Sequence, residues 1–106
     1  MKYLGLFILP LLLAGCQSTP SFCESEPSSA LCDQKTYQYR TDQALIAFEA
    51  MKSKKAFAIG RTENGGEFFG YSGGYSSLSK AKERALNECQ EIIKKHSSIA
   101  KCELIR

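Results

Sequence analysis

The sequence predicts an α+β fold: a small three-stranded antiparallel sheet packed with two helices, in the order α-β-β-α-β. Three patterns carry that prediction. Two stretches, near residues 42–53 and 78–95, repeat apolar residues at helical spacing. Between them "AFAIGRTENGGEFFGYS" reads as two strands around a glycine turn, and the chain closes on the alternating "KCELI".

The first helix is expected from Asp42 to about Ser53. The Thr41 hydroxyl can cap it, and Asp42 suits the positive end of the helix dipole. Ala44, Leu45, Phe48 and Met51 form its apolar stripe, with Glu49, Lys52 and Lys54 outside it. In the hairpin, Phe57 and Ile59 alternate with Ala56 and Ala58. "ENGG" supplies turn residues that accept positive φ, and Glu67 to Ser72 returns as an aromatic strand. Gly70, Gly73 and Gly74 are expected to matter through their backbone angles. The second helix runs from about Leu78 to Lys95, capped by Ser77 or Ser79. Leu78, Ala81, Ala85, Cys89, Ile92 and Ile93 share one face, and Lys94 and Lys95 suit the negative end. In the last strand Cys102 and Leu104 point inward, Lys101 and Glu103 outward.

The N-terminus has a different character. Lys2 precedes an apolar run from Tyr3 to Leu13, and small residues follow: the layout of a secretory signal peptide over residues 1–15. The run falls short of the roughly 20 residues needed to span a bilayer, and Pro10 would kink it. Its end, Leu13-Ala14-Gly15-Cys16, resembles the lipobox of bacterial lipoproteins. That resemblance implies cleavage before Cys16, a lipid on its sulfur and an acylated new amino end, an anchor of three acyl chains such as palmitate. Several chains make an anchor durable where a single one holds only marginally. Gln17 stands where an aspartate would resemble an inner-membrane retention signal, so delivery to the outer membrane is expected.

The lipobox also accounts for the odd cysteine count. Of five cysteines, Cys16 goes to lipid, leaving Cys23, Cys32, Cys89 and Cys102 in an oxidising compartment. Three pairings are possible. Cys23–Cys32 and Cys89–Cys102 close the shortest loops and are the expected ones; a bridge from Cys23 or Cys32 into the domain is the alternative. Residues 16–40, holding Pro20 and Pro27 and little periodicity, read as a lipidated N-terminus and tether, with the domain over residues 41–106. A core of this size is marginal, and disulfides support it.

From Lys55 onward the chain resembles a class of small bacterial envelope domains. The shared pattern is "AFAI" at Ala56–Ile59, the turn glycines Gly65 and Gly66, the strand end Gly70–Gly74, the helix positions Ala81, Ala85, Leu86 and Cys89, and the closing Cys102. The resemblance implies a fold and assigns no activity.

Several local motifs suggest chemistry. "GYSGG" has the G-x-S-x-G form with Ser72 as nucleophile, and His96, the single histidine, would have to be its base. The hydrolase fold that uses this elbow needs a longer chain, so Ser72 is expected to lie exposed at a glycine-lined strand exit. "SLSK" (Ser77 to Lys80) lacks its companion motifs and reads as a helix cap; "GRTENGG" lacks the following Lys-Ser or Lys-Thr and reads as a turn. Cys23 and Cys32 are too far apart for a zinc knuckle, so no metal and no cofactor are expected. His96 suits the helix C-terminus. Phe68, Phe69, Tyr71 and Tyr75 are the candidate contact surface. Helices on one side of a three-stranded sheet would leave its other face open, unless the first helix covers it.

The net charge of +3, one less without Lys2, is not that of a nucleic-acid binder. The expected function is a non-enzymatic outer-membrane lipoprotein presenting a small interaction domain in the cell envelope. Its expected partners are the membrane, through the anchor, and an envelope protein. One rival is an inhibitor or immunity-type lipoprotein of an envelope enzyme, with the hairpin "RTENGGEFF" as a wedge. The other is a small serine hydrolase using Ser72 and His96.

Overall fold

A computed structural model describes residues 20–106; Cys16 and the lipobox lie outside the described residues. The elements are α1 (Phe22–Ser25), two 3-10 turns (Ala30–Cys32 and Gln34–Thr36), α2 (Tyr39–Glu49), β1 (Ala56–Arg61), β2 (Glu67–Ser72), α3 (Leu78–Lys95) and β3 (Cys102–Leu104). The fold is α+β. The sheet is antiparallel, ordered β2-β1-β3, with Phe57 opposite Tyr71, Ile59 opposite Phe69 and Ala58 opposite Leu104.

β1 is central, and its two faces meet different partners. Ala56 and Ala58 point toward α3 and pack with Ala81, Ala85, Cys89, Ile93, Cys102 and Leu104. Phe57 and Ile59 point the other way, into a cluster with Tyr37, Leu45, Phe48 and Ile105. The sheet is therefore covered on both sides. The open face that helices on one side would leave does not exist here, because α2 and the chain before it lie across Phe57, Phe69 and Tyr71.

The first helix differs from its expected bounds: it starts at Tyr39 and ends at Glu49. Thr41 is not its cap but sits buried in its first turn. The start is set from a distant strand, since the Glu67 carboxylate accepts the backbone N–H of Gln38 at 2.9 Å. At the other end, Lys55 Nζ donates to the carbonyls of Phe48, Glu49 and Met51 at 3.0, 2.9 and 3.2 Å. One ammonium thus gathers three carbonyls at the end of the helix, where no following turn supplies enough N–H donors, and turns the chain into β1.

α3 follows the sequence closely. The Ser77 hydroxyl accepts from Lys80 N–H at 3.1 Å as N-cap, and Lys94 and Lys95 occupy the last turn. The glycines need a different explanation from the one expected. Of Gly70, Gly73 and Gly74, only Gly74 has a positive φ, +72°. A Cβ on Gly70 would stand 2.5 Å from both Ala85 O and Cys89 N, so glycine there lets the α3 backbone lie directly on β2. A Cβ on Gly73 would press on the Met51 side chain at 2.9 Å. The hairpin turn carries its positive φ at Gly65, +90°.

The segment read as a tether is folded onto the domain from Ser21 onward. Ser21 is 3% exposed, and its N–H donates to the Glu24 carboxylate at 3.1 Å. The spacing Ser21-Phe22-Cys23-Glu24 is that of a capping box, a signal that the surrounding prolines and serines hide. Cys23 and Cys32 are bonded, closing the segment on itself. Tyr37 is buried and its hydroxyl donates to Leu31 O at 2.7 Å.

Candidate interaction surface and reactive side chains

Both disulfides pair neighbours in sequence, Cys23 with Cys32 and Cys89 with Cys102. The second joins the buried face of α3 to β3, next to Gly60, where an added Cβ would meet Cys102 Sγ at 3.2 Å. All four cysteines among the described residues are thus committed. No group of three His, Cys, Asp or Glu side chains among those residues could hold a metal ion.

Ser72 lies where glycines bracket the strand end, but it is not exposed as expected. It is 5% exposed, and its Oγ donates to the carbonyl of Ala81 at 2.6 Å. The reason is the close seating of α3: with its first turns on the strand, the β2 residue that faces them is buried and needs a partner. His96 belongs to the opposite end of that helix, where Nδ1 lies 3.0 Å from Ile92 O and the ring packs 5.5 Å from Phe68. Ala81 and His96 are fifteen residues apart on one helix, about 22 Å at 1.5 Å per residue. The serine and the histidine are not brought together.

The four aromatic residues do not form one surface. Phe69 and Tyr71 stack on Phe57 at 5.7 and 5.4 Å, and Phe48 meets Phe57 and Tyr71 edge-on at 5.4 and 6.4 Å. Phe68 and Tyr75 pack against the α3 side. All four are half-buried. Each belongs to the packing of one face.

The exposed apolar side chains lie elsewhere. Ile99, in the loop between α3 and β3, is 91% exposed, and Tyr39 and Ile46 stand outward on α2. Ile99 borders an open cleft of about 640 Å³ that it shares with Ser97, Ser98 and the hairpin residues Arg61, Thr62, Glu63 and Asn64. In the sequence, Ile99 sits within "HSSIA" as a lone apolar residue in a polar loop, and no periodicity marks it.

The base of the hairpin is rigid for an electrostatic reason. The Glu67 side chain is 1% exposed and accepts from Arg61 Nε at 2.8 Å, from Gln38 N–H and from the Thr41 hydroxyl. Burial alone would raise its pKa. The hydrogen bonds from Thr41 and Gln38 and the Arg61 cation outweigh burial and hold it below the ordinary carboxylate value. Arg61 also donates to Thr36 Oγ1 and lies 5.6 Å from the Tyr37 ring centre, so the same pair fastens the N-terminal turns to the sheet. The Gln38 side chain adds a bond to Gly65 O at 2.9 Å.

No protein-family model, curated protein or solved structure matches this chain. Among the described residues, no helix is long and apolar enough to cross a membrane.

Proposed function

We propose that this protein is an outer-membrane lipoprotein, anchored through lipid on Cys16, that presents its domain as a non-enzymatic interaction module in the cell envelope. The observation that carries the reading is Leu13-Ala14-Gly15-Cys16 placed directly behind an apolar run. Cysteine parity supports it, because the other four cysteines pair with one another and Cys16 is left for another chemistry. The contact surface best suited to a partner is the hairpin end, where Ile99 and the turn residues Thr62, Glu63 and Asn64 border the cleft. The partner in this reading is an envelope protein, and no cofactor or nucleic acid enters it.

The pinned base of the hairpin favours a second reading, an inhibitor of an envelope enzyme that inserts "RTENGGEFF" as a wedge. A protruding turn held by Arg61, Glu67 and Gln38 loses little conformational entropy on binding. Two experiments test the pair. Cys16→Ser should release the protein from the membrane fraction and leave the signal uncleaved; retention in membranes at wild-type level overturns the anchor. Cross-linking in intact cells from Ile99 and from Glu63 should capture the same partner, and capture that does not change on Ile99→Asp removes this surface from consideration.

A further inference from the structure

The N-terminal turns limit how far the domain can stand from its anchor. The sequence suggests a slack tether of some 25 residues up to Arg40, which would let the domain roam. Instead Ser21 is already buried against the domain, α1 packs beside β3, and Cys23–Cys32 closes the following loop. Arg61 fastens the remainder through Thr36 and Tyr37. None of the chain beyond Ser21 is free to pay out.

We infer that the domain is held against the lipid headgroup surface, with its α1 corner toward the membrane, by a leash of only the residues between Cys16 and Ser21. This rests on the lipid anchor proposed above. Five residue steps span no more than about 18 Å when fully extended, less than the width of a small domain. A fully flexible 25-residue tether would instead give a root-mean-square reach of about 28 Å and far longer excursions. The domain therefore works in the layer beside the headgroups, and its partner is one whose contact face lies in that layer.

Leash length is the variable to test, in the lipidated mature protein on vesicles of phosphatidylethanolamine and phosphatidylglycerol. A donor dye at Ser28, exposed in the loop after α1, is paired with a headgroup acceptor of short Förster distance. A second protein carries 24 Gly and Ser residues inserted between Ser18 and Thr19, ahead of the described residues 20–106. The wild type should transfer efficiently and the insertion should lower transfer at least twofold, with both proteins floating with the vesicles. Equal transfer in the two floating proteins overturns the short leash. Flotation reports the anchor separately: if the Cys16→Ser protein floats as well as wild type, the anchor reading fails instead.

Discussion

The two faces of the sheet are built on opposite strategies. Toward α3, β1 and β2 present Ala56, Ala58 and Gly70, and the helix answers with Ala81 and Ala85, so backbone lies on backbone. A disulfide then joins helix to edge strand. Toward α2, the same strands present Phe57, Phe69 and Tyr71, and the helix stands off on Phe48 and Leu45. Among the described residues no disulfide crosses that face. Lys55, Glu67 and Arg61 fasten its helix and turns by hydrogen bonds instead. The small-residue face tolerates almost no added volume, whereas the ring face depends on volume being present.

The sharpest way to break the comparison is to exchange the errors. Removing the central ring with Phe57→Ala should cost about 4 kcal/mol, through lost transfer energy and the cavity left among Phe48, Phe69 and Tyr71. Adding volume opposite, Gly70→Val, should cost about 3 kcal/mol, because the atoms it meets are helix backbone and cannot rotate away. Thermal unfolding measures both; a Gly70→Val protein as stable as wild type would show that α3 does not sit as close as described. Replacing Cys89 and Cys102 together by Ala should cost about 3 kcal/mol for a loop of this size.

Acid should act on the face toward α2 through Glu67. The Glu67 pKa is lowered in the folded state, so its contribution is fully present above the ordinary carboxylate pKa and is lost as pH falls through the lowered value. Melting temperature should therefore drop as pH falls below about 4.5. In Glu67→Gln that part of the pH dependence should be absent and the neutral-pH melting temperature lower. A full acid response in the variant would assign it to other carboxylates. The smallest effect is expected at Ser72→Ala, about 1 kcal/mol for one buried hydrogen bond, since Ala81 O keeps its place in the helix ladder. A fluorophosphonate adduct at Ser72 would contradict this structural role.

What the sequence determined by itself is what local periodicity and local chemistry can encode. From α2 onward the order α-β-β-α-β, the span of α3 with its Ser77 cap, the hairpin around Gly65 and the inward face of β3 are all legible within a few neighbouring residues. The neighbour pairing of the cysteines agreed with the shortest loops. Only the tertiary structure decided where α2 begins, because its start is satisfied by Glu67, 29 residues along the chain from Gln38. It also decided that the serine- and proline-rich stretch is docked, through Tyr37 and Arg61, and that Ser72 is buried beneath α3. Gly70 reads in sequence as a flexible residue and acts in the fold as a missing side chain. The physical reason is common to the first three. A backbone group or polar side chain can be satisfied by any partner that packing brings within about 3 Å, and a linear sequence does not state which residue that will be.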